Sequence, residues 1–218
     1  MDFISKDTLI EWADKHNISD LEWIEHDSYL NAGYFRGLPR NKEKLENLVE
    51  LNLLGSQLSS LPKEIGQLKK LKKLYLLGNQ LTHLPLEIGE LSNLEELYVA
   101  GNKLNSLPKE IGKLKKLRLL LLQENLLPSI PEEISSLNNL ETLELGKNHL
   151  TALPKGIGKL TSLTRLTIWK NELTQLPDDI TELQNLKVFD CMYNKIALQQ
   201  NHLKWLNDLI LRECDVSI

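Results

Sequence analysis

Leucines recur along most of the chain at a fixed spacing. Each block follows the pattern L-x-x-L-x-L-x-x-N-x-L-x-x-L-P-x-x-I-G-x-L-x-x, where x is a position that varies. A single block cannot bury its own leucines, so only blocks stacked against one another form a continuous core. The pattern therefore predicts a solenoid. Six blocks of 23 residues and the start of a seventh begin at Leu48, Leu71, Leu94, Leu117, Leu140, Leu163 and Leu186.

The first part of each block predicts a short β-strand, because apolar and variable positions alternate there. In the second block, Leu74 and Leu76 are expected to face the core, whereas Tyr75 and Leu77 face outward. We expect the strands of successive blocks to pair side by side in a parallel sheet, about 4.8 Å apart.

The second part of each block cannot form a long helix, since its proline lacks an amide donor and its glycine favours a turn. We expect a 3₁₀ helix or a turn there. Bulkier turns on one side of the stack bend it, so the strands line the concave face and the turns line the convex face. The predicted fold class is α/β: a curved solenoid with a helical cap at each end.

The two ends of the chain depart from the repeat, as the ends of a solenoid must if they are not to expose leucines. Residues 1–47 predict an N-terminal cap with a short helix at Thr8 to Lys15 and a degenerate half-repeat. A small separate recognition domain is the alternative interpretation of this segment. The repeats occupy residues 48–194.

After the repeats, residues 195–218 predict a C-terminal cap. Its main element is an amphipathic helix from Ala197 to about Arg212, in which Trp205 is expected to pack against the last repeat.

Asparagine occupies one position just after the strand of every block except the first, which has Ser56 there. The backbone turns there and leaves amide and carbonyl groups without ladder partners, and an Asn side chain offers both a donor and an acceptor. We expect a structural column formed by Asn79, Asn102, Asn125, Asn148, Asn171 and Asn194.

Composition narrows the function classes. The 218-residue chain has a net charge of −4, which disfavours a nucleic-acid partner, since such partners require a basic surface. No apolar stretch approaches the length of a membrane span, which takes about 20 residues, and the first residues hold no apolar run long enough to be read as a secretion signal. Only two cysteines, Cys191 and Cys214, are present. We expect a cytoplasmic, monomeric protein, and delivery by a dedicated secretion system stays open.

Motifs of catalysis are absent from the sequence. The histidines make no metal-ligand spacing, and we find no phosphate loop, dinucleotide fingerprint or nucleophile elbow. Cys214 is followed directly by Asp215, but a nucleophile also needs a positioned base and a pocket. We expect neither an enzyme nor a bound cofactor or metal.

The variable positions of the strands carry unexpected apolar residues. A solvated strand face is normally polar, whereas contiguous apolar patches usually mark contact sites, and Tyr and Trp are frequent in them. Strand propensity alone, or a cap folded over these residues, would also account for them. The candidate partner-binding residues on the concave face are Leu54, Tyr75, Leu77, Tyr98, Ala100, Leu119, Leu121, Trp169, Met192 and Tyr193.

The block that starts at Leu94 closely resembles the 23-residue leucine-rich repeat of intracellular Ras-pathway scaffolds of the Ras suppressor and Scribble type. It is equally similar to repeats of plant Ras-group-related proteins and of bacterial proteins, including those of leptospires. The resemblance covers about two-thirds of the chain. It implies a curved solenoid that binds proteins on its concave face. The chain departs from the pattern where Ser135 and Thr181 replace the repeat glycine.

These observations support three hypotheses. The first is a non-enzymatic module, expected to be bacterial, that binds a protein partner on the concave strand face. The second is the recognition domain of a delivered bacterial effector or of a regulator in a GTPase pathway. The third is a glycan or small-ligand binder that uses Tyr75, Tyr98 and Trp169 as stacking platforms.

Overall fold

In the described residues, the N-terminal region joins the solenoid through an antiparallel strand pair, a bridge to the first repeat and apolar residues in the common core. A computed structural model describes residues 7–24 and 34–218, so residues 1–6 and 25–33 of the predicted cap lie outside the described part. The antiparallel hairpin continues to Gly37, whose amide donates to the carbonyl of Asn52 at 3.1 Å. The elements of this region are α1 (Asp7–Lys15), β1 (Glu22–Ile24), β2 (Tyr34–Arg36) and α2 (Lys42–Glu46).

The repeats form an eight-stranded parallel sheet in which the strands follow one another in sequence order. Each of the seven blocks supplies one strand, and equivalent positions pair, as in Leu74 with Leu97 and Tyr75 with Tyr98. The strands are β3 (Glu50–Asn52), β4 (Lys73–Tyr75), β5 (Glu96–Tyr98), β6 (Leu119–Leu121), β7 (Thr142–Glu144), β8 (Arg165–Thr167), β9 (Val188–Asp190) and β10 (Asp215–Ser217).

Short 3₁₀ helices lie on the opposite, convex side of the stack. In five of the six, a proline stands directly before the helix. Proline has no amide donor, but no hydrogen bond within the helix requires one at this position. The six helices are Lys63–Gln67, Leu86–Glu90, Lys109–Lys113, Glu132–Ser136, Ile157–Lys159 and Asp178–Glu182. The predicted solenoid, with a parallel sheet, 3₁₀ helices and helical ends, is confirmed.

The core is a continuous column of leucine and isoleucine between the sheet and the 3₁₀ helices. In β4, Leu74 and the following Leu76 are fully buried, as are Ile88 of the facing 3₁₀ helix and their equivalents in the other repeats. At about 1.5–3 kcal/mol per buried apolar side chain, this burial is the main force that holds the repeats together.

The asparagine column connects each repeat to the one before it. The Nδ2 of Asn102 donates to the carbonyls of Leu76 and Val99, both at 2.9 Å. Its Oδ1 accepts from the amide of Leu81 at 3.1 Å. The same three contacts recur at each member of the column from Asn79 to Asn194. Each side chain thus satisfies backbone groups of two neighbouring repeats.

The repeat glycine allows successive 3₁₀ helices to approach closely. A Cβ at Gly89 would lie 2.5 Å from the carbonyl oxygen of Glu110 in the next repeat. Where Ser135 replaces this glycine, the facing residue is Gly156, whose own Cβ would stand 3.0 Å from the Cβ of Ser135. The larger residue in one repeat is therefore matched by a smaller one in the next. The 3₁₀ helix after Gly156 is correspondingly short.

The C-terminal end closes the stack with α3 (Gln200–Leu211) and β10. Trp205 is 3% exposed and packs edge-on against Phe189, with ring centroids 5.2 Å apart. The helix is shorter than the predicted range, and β10 was not predicted at all. Its three residues carry no leucine spacing, and the strand forms because its backbone pairs with β9.

Substituting a member of the asparagine column should destabilise the fold. Asn102→Leu leaves the buried amide of Leu81 without its acceptor and removes one of the two asparagine donors at each of the carbonyls of Leu76 and Val99. The free energy of unfolding should therefore fall by about 1–3 kcal/mol. Urea denaturation followed by circular dichroism measures the change. Asn105→Leu, at an exposed position of the same repeat, is the control and should change stability little. Equal stability of Asn102→Leu and the parent would contradict this role.

The match between facing 3₁₀ helices can be tested with a double-mutant cycle. Gly89→Ser alone forces a side chain against both the carbonyl oxygen and the Cβ of Glu110 and should cost about 1–3 kcal/mol. Adding Glu110→Gly reproduces the Ser135 and Gly156 pair and should recover part of that loss. Unfolding free energies of the two single variants and the double variant give the coupling, and strictly additive effects would refute the match.

Candidate functional site

A groove of about 750 Å³ crosses the first four repeats of the concave face. Strand positions that point away from the core form its floor, because side chains along a strand alternate between faces. Its lining residues are Arg36, Asn52, Leu54, Gly55, Tyr75, Leu77, Gly78, Tyr98, Ala100, Gly101, Leu121, Gln123 and Glu124.

Two stacked tyrosines form the centre of the groove. The rings of Tyr75 and Tyr98 lie nearly parallel, at 13°, with centroids 4.4 Å apart. Stacking of this kind stabilises beyond area burial by about 0.5–1.5 kcal/mol. Tyr75 is only 8% exposed and forms the floor, whereas Tyr98 is half-buried and presents part of its ring to solvent.

A hydrogen-bonded ion pair anchors this tyrosine pair. The hydroxyl of Tyr98 donates to Oε2 of Glu96 at 2.6 Å, and Nζ of Lys73 lies 3.1 Å from Oε1 of the same carboxylate. Burial, followed by the hydrogen bond to Glu96, raises the pKa of Tyr98 above its ordinary value. Burial also raises the pKa of Tyr75, and the hydrogen bond to Glu96 raises the pKa of Lys73.

Glycines form one wall of the groove. The residue before each asparagine of the column has a positive φ, as does Gly55 before Ser56 at the same position of the first repeat. In the first three repeats this residue is Gly55, Gly78 or Gly101. A Cβ at Gly55 or Gly78 would meet nothing within 4 Å, so the wall faces open space. In the fourth and fifth repeats the same position carries Glu124 and Lys147, whose side chains end the groove.

The structure brings six of the predicted contact residues together in this groove. Leu54, Leu77 and Leu121 are half-buried there beside the two tyrosines, and Ala100 is 7% exposed, so it contributes floor rather than protruding surface. Leu119, at the start of β6, is half-buried outside the groove lining.

The second predicted cluster does not join the groove. The indole of Trp169 folds back over Gly146 of the preceding repeat, in space that any Cβ there would fill. Nζ of Lys147 lies 5.3 Å from the centroid of the same ring. Met192 is half-buried and Tyr193 is 72% exposed, so most of the Tyr193 side chain is accessible from solvent and less of Met192 is.

Ion pairs between neighbouring repeats separate the two regions. Lys147 pairs with Glu124 at 2.6 Å and Arg165 pairs with Glu144 at 2.7 Å. These charges are exposed or half-exposed, so each pair adds little stability, about 0–1 kcal/mol. They make the middle of the concave face polar and separate the groove from Met192 and Tyr193.

The sequence-based prediction missed seven of the residues that line the groove, namely Arg36, Asn52, Gly55, Gly78, Gly101, Gln123 and Glu124. Arg36 lies outside the repeats, at the end of the hairpin, and only the folded cap brings it to the groove. Asn52 and Gln123 occupy variable strand-face positions, but as polar residues they gave no apolar signal. Their positions in the repeat, aligned with Tyr75 and Ala100, were the available clue.

Neither cysteine has the character of a nucleophile. Burial raises the pKa of Cys191 to about 12, and burial also raises the pKa of Cys214. Both thiols are therefore protonated at neutral pH, and the thiolate is the reactive form. Within residues 7–24 and 34–218, histidine, cysteine and carboxylate side chains form no cluster suited to a metal ion.

The helices in the described ranges do not include a candidate membrane span. None of the helices there has both the length and the apolar character that crossing a bilayer requires.

The sequence matches a known family over most of its length. Models of the leucine-rich repeat region match residues 8–120, 63–145 and 105–216. The chain therefore belongs to the leucine-rich repeat family, as the resemblance of its blocks implied. Proteins of this family commonly serve as protein-interaction modules and are generally not enzymes. A search of curated proteins finds no match.

Solved structures support the same assignment. A leucine-rich repeat protein of Leptospira interrogans is 38% identical, with a TM-score of 0.62, over 78% of this chain and 50% of its own. A chain in the crystal structure of PEPR1–AtPEP1 has 28% sequence identity to this chain and a TM-score of 0.66. The match covers 78% of this chain and 25% of the PEPR1–AtPEP1 chain. The chain thus spans half the length of the first and a quarter of the second.

The raised pKa of Tyr98 predicts a loss of stability in alkali. Above about pH 10 the unfolded chain releases this phenolic proton while the folded chain retains it, so the unfolding free energy falls as pH rises. The unfolding free energy of the Tyr98→Phe variant should fall less steeply with pH, although the raised pKa values of Tyr75 and Lys73 still contribute to the fall. Urea denaturation from about pH 8 to about pH 11 tests this. Identical slopes for both proteins would contradict it.

Proposed function

We propose that the protein is a non-enzymatic interaction module that binds a protein partner in the groove of the concave face. The observation that carries the proposal is the contiguous apolar surface around Tyr75 and Tyr98 on a strand face exposed to solvent. A solvated strand would be polar at these positions, and apolar surface of this kind usually marks a contact site.

The groove is suited to a macromolecular surface in shape as well as in chemistry. It spans four strands and has an open glycine wall, so a partner can reach the tyrosines without displacing side chains. The stacking of the tyrosines and the bond from Tyr98 to Glu96 hold their rings in place before binding. Little conformational entropy is then lost on association, which favours affinity.

Membership of the family supports the same function. Leucine-rich repeat proteins commonly bind other proteins, and the PEPR1–AtPEP1 structure, by its name, combines two molecules. The present chain is a scaffold of the same fold with its own set of variable strand residues, which would determine which partner it accepts.

We also propose that the protein acts in the cytoplasm of a bacterium. The free, buried thiols of Cys191 and Cys214 suit a reducing compartment, and the leptospiral structure is similar over 78% of the chain. Fractionation of the source cells, with detection of the protein by antibody, tests this placement. Recovery from the culture medium or the cell envelope would refute it.

Partner capture tests the proposed groove. Tyr98→Ala combined with Leu121→Asp removes a hot-spot aromatic and puts a charge among apolar residues, so capture of the specific partner from native lysate should be abolished. Gly78→Lys should also block capture, because it fills the open wall with the residue type found at the equivalent Lys170. Quantitative mass spectrometry of the captured proteins gives the measurement.

The control for capture is a pair of substitutions outside the groove. Leu86→Asp with Leu126→Asp changes two exposed leucines that do not line it. This variant should capture as the parent does, and thermal melting should show all variants folded. Undiminished capture by the folded Tyr98 and Leu121 double variant would place the binding surface elsewhere.

A further inference from the structure

We propose that the groove selects an extended peptide segment that carries an aspartate or glutamate side chain followed by apolar residues. The acidic side chain binds Arg36 and Asn52, and the apolar side chains lie on the tyrosines. This inference rests on the proposed function and specifies the partner segment. It is carried by unpaired polar groups at both ends of the groove.

Asn52 supplies a buried donor without an acceptor. The residue is 1% exposed, and its Oδ1 accepts from the amide of Leu54 at 3.0 Å, which determines the orientation of the side-chain amide. The opposite group, Nδ2, meets no acceptor within the described part of the chain. A buried donor left unpaired is costly, so a site that provides its acceptor on binding gains affinity.

Arg36 adds a positive charge at the same end. Its half-buried side chain lines the groove together with Asn52, and no described carboxylate forms an ion pair with it. Arg36 directly precedes Gly37, which pairs with Asn52, so both side chains belong to the same end of the groove. Two donors there favour a carboxylate over a neutral carbonyl, because a hydrogen bond in which either partner is charged is about twice as strong as a neutral one. The carboxylate of an Asp or Glu side chain fits both donors.

Gln123 supplies the complementary group at the far end. Its Oε1 is buried and accepts no hydrogen bond from any described residue. The neighbouring Glu124 is already paired with Lys147, so a basic partner residue finds no free carboxylate there. A backbone amide of the bound segment would satisfy Gln123 without adding charge.

The distance between the two ends suits an extended chain. Asn52 belongs to β3 and Gln123 follows β6, so three strand spacings, about 14 Å, separate them. An extended peptide rises about 3.3 Å per residue, so roughly four residues cover this distance. Between the ends the floor is apolar and aromatic, with Tyr75, Tyr98 and Ala100 below the segment and Leu77 beside it. Apolar side chains are expected after the acidic one.

Selection from a display library tests the inference with the whole protein. The library presents short random segments joined at both ends to glycine–serine linkers, so that no free carboxyl terminus is available. We expect enrichment of Asp or Glu at one position with apolar residues within the next four or so. Enrichment without an acidic position, or no enrichment over an unrelated protein, would overturn the proposal.

Affinity measurements on a selected segment identify the groups that recognise the acid. Arg36→Gln and Asn52→Asp should each weaken binding about 10- to 100-fold, as should replacing the acidic peptide residue by its amide. Asp190 makes the same local contact at the end of β9, with its Oδ1 accepting from Met192 at 3.0 Å, so an aspartate at position 52 is compatible with the fold. Asp190→Asn is the matched control and should bind as the parent does.

The outcome separates this inference from the proposed function. If the folded Arg36→Gln and Asn52→Asp variants bind the segment and capture the partner as the parent does, the acidic recognition is wrong. The groove would still stand as the binding surface if the Tyr98 and Leu121 double variant loses capture. Loss of segment binding in both position 36 and position 52 variants, with the Asp190→Asn control intact, supports the inference.

Discussion

The burial of leucines between neighbouring repeats is the interaction on which the whole structure depends. A three-residue strand and a five-residue 3₁₀ helix have no stability of their own, and each repeat closes its core only against the next one. This constraint fixes every second strand residue as an apolar core residue, such as Leu74 and Leu97. The residues between them face away from the core, so the fold leaves them free to vary, and this freedom is what allows the concave face to specialise.

Close approach of the repeats then determines their register. The asparagine column satisfies backbone groups on both sides of each junction, and the repeat glycine removes the atoms that would keep successive 3₁₀ helices apart. At Ser135, where the repeat glycine is replaced by a larger residue, the facing residue of the next repeat is the smaller Gly156. Because the register is rigid, strand-face residues lie in straight columns, and Tyr75 and Tyr98 meet in a stack although 23 positions separate them in the chain.

The groove is therefore an assembly of variable positions on a scaffold that does not vary. Its apolar floor, its glycine wall and its polar ends come from different repeats, and Arg36 comes from the cap. The ion pairs of the middle repeats, such as that of Glu144 with Arg165, make the surface beyond the groove polar and separate the groove from Met192 and Tyr193. Separation of scaffold from surface explains how one fold can serve different partners.

The leucine period by itself determined the solenoid, the alternation of inner and outer strand residues and the position of the asparagine column, because each depends on contacts that repeat with the chain. Six of the ten candidate contact residues lie in one groove for the same reason. Tertiary structure alone decided how far each is covered: Tyr75 is nearly buried by its neighbour, and Trp169 lies over Gly146. It also placed Arg36 beside Asn52 and added β10, whose backbone pairs with β9 without any leucine spacing. Coverage and pairing of this kind depend on atoms from other parts of the chain, and a local pattern carries no information about them.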